Sequence, residues 1–223
     1  MIYKNWEQIY KKILKDFNIK ESEDKKSAEL LEILLSNKSI FPIENLSQLI
    51  KDKQVFVFGA GPSLENSIIK NKKHFNSFIK ISADGATSAL IKHAIYPDII
   101  VTDLDGNVKD QIKSNDKGSI IIIHAHGDNK DKIIKYLPEI KGKIIGTTQT
   151  DPSKFKNLYN FGGFTDGDRA VFIADHFNAK KINLIGFDFN GKIGKYSFSE
   201  NKNKKLKLKK LKWCKKLTKM IID

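Results

Sequence analysis

Two carboxylates stand one residue apart in the string Asp103-Leu104-Asp105-Gly106, directly after a short apolar run. Carboxylates in this spacing can face one cation, and such hard oxygen ligands suit Mg²⁺, which keeps several waters and bridges to substrate phosphates. Asp84 follows another apolar run and would add a third carboxylate. Three such charges repel one another unless a cation lies between them. The sequence therefore predicts a magnesium site at Asp84, Asp103 and Asp105, and a turn with an aspartate helix cap is the alternative.

The chain's one arginine, Arg169, follows the string Gly162-Gly163-Phe164-Thr165-Asp166-Gly167-Asp168. Thr165 or Asp166 can cap the helix that comes next. Because lysine supplies the other 39 basic residues, a lone arginine indicates a task that needs a planar fork, such as the recognition of phosphate or carboxylate. We expect Arg169 to be catalytic, with Thr165, Asp166 and Asp168 binding ligand beside it. A structural Asp–Arg pair is the alternative.

Two of the five histidines lie in the string His124-Ala125-His126-Gly127-Asp128-Asn129. The string resembles half of a zinc ligand set, but zinc needs three or four N, S or O ligands, and the other histidines fall in predicted helices. We expect His126 to act at the reaction centre, and His124, Asp128 and Asn129 to bind the substrate's phosphates or ring. A purely structural role for one imidazole is the alternative.

A glycine-containing loop, Gly59-Ala60-Gly61-Pro62-Ser63, follows the first apolar run and precedes a helical segment. Glycines let the backbone approach a phosphate, and a helix N-terminus supplies free N–H groups. We expect Gly59, Gly61, Pro62 and Ser63, together with Gly85 beside Asp84, to bind a nucleotide or its phosphates. Ser63 could equally be only a helix cap.

The elements that must position these residues alternate between short apolar runs and segments of helical length. The runs are 55–58, 78–81, 99–101, 120–123, 144–145 and 182–185. Consecutive Ile and Val residues are typical of strands buried on both faces of a parallel sheet. The alternation predicts a doubly wound, mainly parallel, Rossmann-like α/β sheet. Because ligands bind beyond the carboxyl ends of such strands, the strings above should share one rim.

Three segments are predicted along the chain. Residues 1–50 show helical spacing of apolar residues and no strand pattern, and we expect a helical cap on the domain; an arm that makes the chain a homo-oligomer is the alternative. Residues 51–200 form the α/β catalytic domain. Residues 201–223 are very basic and predict a helix packed on that domain, with an apolar stripe of Leu206, Leu211, Trp213, Leu217 and Met220.

Composition limits the classes of function. The net charge is +14 over 223 residues, which favours polyanionic ligands such as ATP. Nucleic-acid binding is disfavoured, since arginine, the preferred residue for base and phosphate contacts, occurs once. A single cysteine, Cys214, allows no internal disulfide. Neither a signal peptide nor a membrane-spanning apolar run is found, so we expect a cytoplasmic protein without a membrane partner.

The strings taken together resemble the archaeal 6-hydroxymethyl-7,8-dihydropterin pyrophosphokinase (MptE-like) family, and more distantly thiamin pyrophosphokinase. The matching strings are FGAGPSL (58–64), ADGA (83–86), PDIIVTDLDG (97–106), HAHGDN (124–129), GGFTDGDRA (162–170) and GFDF (186–189). The resemblance implies Mg²⁺-dependent transfer of pyrophosphate from ATP to the hydroxymethyl group of a pterin. The products would be AMP and the pterin diphosphate, in tetrahydromethanopterin or folate-type cofactor synthesis.

Three other functions fit parts of the sequence less well. An Asp-x-Asp string at a strand end also suits a nucleotide-sugar glycosyltransferase with a divalent metal. A methyltransferase that uses S-adenosylmethionine would explain the glycine loop but leaves the Asp103–Asp105 pair without a use. A basic nucleic-acid-binding protein would leave the whole rim unexplained.

Overall fold

A computed structural model describes residues 3–197 and 204–222, and within them seven strands form one parallel sheet in the order β6-β5-β4-β3-β2-β1-β7. The strands are β1 (Gln54–Phe58), β2 (Ile79–Ala83), β3 (Ile99–Thr102), β4 (Ile120–Ala125), β5 (Ile144–Thr148), β6 (Leu158–Tyr159) and β7 (Lys181–Ile185). Every predicted apolar run falls in one of these strands, except that Phe78 precedes β2 by one residue. The doubly wound α/β prediction is confirmed.

Helices cover both faces of the sheet. They are α1 (Trp6–Phe17), α2 (Glu21–Leu35), α3 (Ile43–Ile50), α4 (Leu64–Phe75), α5 (Ala86–Lys92), α6 (Val108–Asp116), α7 (Lys130–Tyr136), α8 (Asp166–His176) and α9 (Lys204–Ile222), with a short 3₁₀ helix at Leu137–Glu139. One apolar cluster joins α3 and α8 to the sheet, and two others join α2 and α4–α7 to it. Burial on both faces explains the unbroken Ile and Val runs.

The chain steps in one direction across the sheet from β1 to β6 and then returns to place β7 on the other side of β1. After β1 it enters α4, which packs in a cluster on one face. After β7 it leads to α9, which packs against α8 from the opposite face. The loops after β1 and β7 therefore diverge, and such a point in an open α/β sheet forms a ligand-binding crevice.

Both ends of the described chain pack together. Trp6, Tyr10 and Ile13 of α1 form an apolar cluster with Phe172 of α8 and Leu217 of α9. The basic C-terminal helix α9 thus packs against α1 and α8. Its predicted stripe is partly wrong, because Leu206 and Met220 are exposed while Cys214 and Leu217 are buried.

Two features of the fold had no clear signal in the sequence. The charged residues Glu21–Lys26 form the first part of α2, since the acidic first turn favours a helix N-terminus. The two-residue strand β6 gave no apolar run long enough to predict. The boundaries at residues 50 and 200 stay predictions, and the second lies in segment 198–203, outside the described residues. Within the described chain, no helix combines the length and apolarity needed to cross a membrane.

Candidate active site

A cleft of about 610 Å³ opens along the carboxyl ends of the strands. Loops after β1–β5 and β7 line it, together with the first turn of α8. The α1–α2 turn and α9 complete its wall. The predicted site residues on this lining are Gly59, Gly61, Asp84, Gly85, Asp103, Asp105, His126, Asp128, Thr165, Asp166 and Arg169. The structure therefore brings most of the predicted rim together around one volume.

Three carboxylates converge on one point of the cleft. Asp84, Asp103 and Asp166 each offer an oxygen, and these oxygens lie within 4.8 Å of one another. Asp84 follows β2, Asp103 follows β3, and Asp166 begins α8. We call these three side chains the carboxylate cluster. Their separation and oxygen chemistry fit a Mg²⁺ ion that keeps waters in its remaining positions.

Asp84 is held by three donors on one oxygen. Its Oδ1 accepts hydrogen bonds from Thr102 Oγ1 at 3.0 Å, Gly106 N at 3.2 Å and Gln111 Nε2 at 2.8 Å. Burial and the charge of Asp103 nevertheless raise the pKa of Asp84 to about 6. The donors fix the carboxylate in place, and the neighbouring negative charge makes its ionised form costly until a cation is present.

The backbone around the cluster is strained. Asp84 has φ of 40° and Leu104 has φ of 64°, and each such residue costs of the order of 1–3 kcal/mol. Gly106 has no room for a side chain, since a Cβ there would lie 2.4 Å from Asp84 Oδ2. Strain and a required glycine at the same point indicate that the placement of Asp84 matters for function.

Asp105 does not belong to the carboxylate cluster. Leu104, between the two aspartates, has φ of 64°, and the Asp105 carboxylate lies 3.9 Å from Lys132 Nζ. Asp105 still lines the cleft. Its role as a metal ligand stays a prediction, while Asp166 occupies the third position that the sequence analysis gave to Asp105.

His126 contacts Asp103 of the carboxylate cluster. Its Nε2 lies 3.0 Å from Asp103 Oδ2, and its Nδ1 lies 3.4 Å from the backbone N–H of Asp128. An ionised carboxylate only accepts and a backbone N–H only donates, so the contacts match the tautomer with its proton on Nε2. Burial opposes the ionisation of Asp103, but the hydrogen bond from His126 and the charges of Arg169 and Lys132 hold its pKa below the usual range.

Arg169 contacts the same cluster from the next turn of α8. Its Nη1 donates to Asp166 Oδ1 at 3.0 Å, and its Nη2 donates to Gln149 Oε1 at 3.3 Å. The side chain is buried, and among the described residues its Nε has no hydrogen-bond partner. Burial and the charge of Asp103 raise the pKa of Asp166 well above its usual value, and Arg169 offsets part of that rise. A guanidinium with an unused buried donor is suited to an anionic ligand.

Five predicted ligand-binding residues lie outside the cleft lining: Pro62, Ser63, His124, Asn129 and Asp168. Asp168 accepts hydrogen bonds from the backbone N–H groups of Phe164 and Thr165 and forms a capping box at α8. Asn129 accepts from His126 N and donates to the carbonyl of Asp103. These contacts position the α8 terminus and the Asp103–His126 pair, so the structure gives both side chains a bracing role.

His124 is buried behind the cleft, with Nδ1 3.1 Å from Thr147 Oγ1. Burial, with the charge of Arg169, lowers its pKa well below the usual value. Among the described residues, His124 and His126 belong to no group of three or more potential metal ligands. The zinc alternative gains no support from this geometry.

The carboxylate of Asp188 binds to the glycine-containing loop after β1. Asp188 Oδ2 accepts from Ser63 N at 2.9 Å and from Ser63 Oγ at 2.7 Å, at the start of α4. A Cβ on Gly61 would lie 2.3 Å from the same oxygen. The helix N-terminus that we expected to hold a phosphate therefore holds Asp188.

Several residues around the site were missed by the sequence analysis. Asp24 of α2 is buried and accepts hydrogen bonds from Tyr10 Oη, Gly127 N and Gln149 Nε2. It therefore ties α1 and α2 to the loops after β4 and β5. Its only sequence signal was an acidic residue inside a charged segment. Residues of α9, including Lys210, also line the cleft.

A family profile described as 6-hydroxymethylpterin diphosphokinase MptE-like matches residues 28–194. The chain belongs to this family. Proteins named 6-hydroxymethyl-7,8-dihydropterin pyrophosphokinase from Methanocaldococcus jannaschii and Pyrococcus furiosus are each 43% identical to it. The alignments cover 100% and 96% of this chain, and 97% and 95% of those proteins. A third, from Methanothermobacter thermautotrophicus, is 42% identical over 86% of this chain and 81% of its own length.

Among solved structures, a MAf glycosyltransferase from Magnetospirillum magneticum AMB-1 is similar to 73% of this chain and matches over 28% of its own length. The TM-score is 0.49 and the identity is 13%. The sequence matches show that the chain belongs to the MptE-like family. The candidate site residues are identified from the geometry of this chain's own cleft.

Proposed function

We propose that the chain transfers a pyrophosphoryl group from ATP to 6-hydroxymethyl-7,8-dihydropterin, with Mg²⁺, and releases AMP and the pterin diphosphate. Family membership supports the reaction class and the acceptor. The main support for the proposal is that the carboxylate cluster and Arg169 converge in one cleft. A polyphosphate is bound by a divalent cation that bridges its oxygens and by a guanidinium that donates hydrogen bonds to them. A role in tetrahydromethanopterin or folate-type synthesis and a cytoplasmic location are part of the same proposal.

Asp84, Asp103 and Asp166 would hold the Mg²⁺ ion. When bound, the ion would neutralise phosphate charge and offset the mutual repulsion of the three carboxylates. The donors on Asp84 and the contact of His126 with Asp103 would keep these ligands oriented before substrate arrives.

The reaction forms a bond between the acceptor's hydroxyl oxygen and the β-phosphorus of ATP, and it breaks the bond from that phosphorus to the oxygen retained by AMP. The hydroxyl proton is released. Such transfers depend on positioning and charge stabilisation more than on covalent help. Arg169 is suited to the charge that develops on the transferring group, since it is buried beside the cluster and keeps its Nε donor unused.

The apolar part of the cleft suits a flat ring. Phe17, Phe164, Phe187 and Phe189 line it together with Leu211. Rings and a few polar groups are the usual lining of a site for a heterocyclic ligand. Lysines on the same lining, among them Lys192 and Lys210, would add a positive field for ATP.

The test is to incubate the protein with Mg-ATP and 6-hydroxymethyl-7,8-dihydropterin and to measure AMP. We expect AMP to form only when both the pterin and Mg²⁺ are present. A parallel thermal-shift screen with nucleotide sugars tests the glycosyltransferase alternative. Stabilisation by a nucleotide sugar without AMP formation from ATP would favour that alternative and contradict the proposal.

A further inference from the structure

Asp188 lies in the string Gly186-Phe187-Asp188-Phe189 after β7, and the proposed transfer makes no use of it. Its Oδ2 accepts two hydrogen bonds from Ser63. Its Oδ1 has no hydrogen-bond partner among the residues that the structure describes, although the residue lines the cleft. A carboxylate oxygen has two lone pairs, so Asp188 presents a fixed acceptor to whatever occupies this end of the cleft.

The position of Asp188 points to a ligand. It lies where the loops after β1 and β7 diverge toward opposite faces of the sheet, which is where open α/β sheets bind ligands. Because Asp188 Oδ2 accepts the hydrogen bond of the Ser63 N–H, that N–H at the start of α4 is not available to bind a phosphate. The local chemistry therefore accepts hydrogen-bond donors and disfavours anions.

Aromatic rings flank the acceptor. Phe187 and Phe189 line the cleft on either side of Asp188 in the chain, with ring centroids 5.9 Å apart and planes at 61°. The Phe187 ring packs close to Gly59, where a Cβ would lie 3.0 Å from its Cε2. An acceptor beside two rings suits the donor edge of a flat heterocycle.

The distance to the reaction centre fits a small ring. In the sheet, β1 separates β7 from β2, so Asp188 and Asp84 follow strands two spacings apart, about 10 Å. If the amino edge of a bicyclic ring lies at Asp188, the opposite end of that ring points toward the carboxylate cluster. In the acceptor of the proposed function, that opposite end carries the hydroxymethyl group.

We propose that Asp188 is a specificity-determining residue that accepts hydrogen bonds from the amino edge of the acceptor heterocycle, with Phe187 and Phe189 beside the ring. The proposal rests on the proposed function and assigns the β7 end of the cleft to the acceptor. The nucleotide phosphates then belong at the cluster and Arg169, on the other side of Asp84.

The first test needs only the unaltered enzyme. We compare 6-hydroxymethyl-7,8-dihydropterin with the analogue that carries hydrogen in place of the 2-amino group, and we measure kcat/KM from AMP release. Loss of a donor to a carboxylate should lower kcat/KM roughly 10- to 100-fold. Equal kcat/KM for the two compounds would overturn the proposal. Failure of the proposed function itself would look different, since neither compound would then yield AMP.

The second test uses Asp188→Asn, which keeps the size of the side chain. Asparagine has one acceptor oxygen, so it cannot accept hydrogen bonds through separate oxygens from both Ser63 N and the ligand. We expect KM for the pterin to rise roughly 10-fold or more, and the preference for the amino compound to fall below about 3-fold. KM for ATP should change less than about 3-fold by the same reasoning.

Asp98→Asn is the matched control. Asp98 Oδ2 accepts from Lys80 N at 2.8 Å, which resembles the Asp188–Ser63 contact, and Asp98 is not on the cleft lining. If both variants only lower Tm and leave the analogue preference intact, Asp188 is a loop brace and the proposal is wrong. Lost discrimination between ATP and 2′-deoxy-ATP in Asp188→Asn, with the pterin preference unchanged, would assign the carboxylate to the ribose and also overturn it.

Discussion

Arg169→Lys separates the charge of the solitary arginine from its planar fork. In the structure the guanidinium contacts Asp166 and Gln149 through different nitrogens, and its Nε has no hydrogen-bond partner among the described residues. A lysine can keep the contact with Asp166 but leaves Gln149 Oε1 without its partner. If Arg169 stabilises the transferring group, the loss is about 2–4 kcal/mol, or roughly 30- to 1,000-fold in kcat/KM.

The same substitution has a structural cost that must be measured beside the kinetic one. An unsatisfied buried acceptor costs about 1–3 kcal/mol, and for a chain of this size each kcal/mol lowers Tm by about 2–4 °C. Tm and steady-state kinetics should therefore be taken on one preparation. Ile120→Val, in the buried strand β4, is the control for a stability loss of about 1 kcal/mol without a change in the cleft.

A lowered Tm with unchanged kcat/KM would refute this reasoning. Arg169 would then serve only as the structural partner of Asp166. A kinetic loss that is far larger than the loss in the Ile120→Val control, at similar Tm, would support its action on the transferring group.

Three further predictions follow from the cleft. Asp103→Asn should abolish Mg²⁺-dependent AMP formation, whereas Asp105→Asn, outside the carboxylate cluster, should retain more activity in the same Mg²⁺ titration; equal loss would return Asp105 to the metal site. The pKa of Asp84 is raised from 3.8 to about 6, so its ionisation should make the cation-free protein less stable as pH rises from about 4 to about 6. Added Mg²⁺ should accordingly raise Tm more at about pH 8 than at about pH 5, and a pH-independent shift would contradict the cluster assignment. Lys210→Ala, on the cleft wall, should raise KM for ATP roughly 3- to 10-fold in a salt-dependent way, while Lys215→Ala on the exposed side of α9 should not.

The sheet was predictable because its strands are buried on both faces. Consecutive β-branched residues at 120–123 and 99–101 give an unambiguous signal, and parallel strands carry their carboxyl ends to one edge. That geometry alone was enough to gather Asp84, Asp103 and His126 around one cleft.

The remaining details depend on backbone angles and tertiary contacts that have no periodic signal. The positive φ of Leu104, between Asp103 and Asp105, has no signal in the sequence, and neither does the docking of α8 that brings Asp166 into the carboxylate cluster. Asp188 reaches the glycine loop from 125 residues farther along the chain. The acidic start of α2 gave no clear helix signal, because charged residues at a helix N-terminus and in a loop look alike in sequence.

The central claim is pyrophosphoryl transfer, and product stoichiometry tests it most directly. The protein should be incubated with Mg-ATP and 6-hydroxymethyl-7,8-dihydropterin, and AMP, ADP and the phosphorylated pterin should be quantified together. Attack on the β-phosphorus predicts equal amounts of AMP and pterin diphosphate, without ADP, and no product once a chelator removes Mg²⁺. Formation of ADP with a pterin monophosphate, or no pterin product at all, would contradict the account.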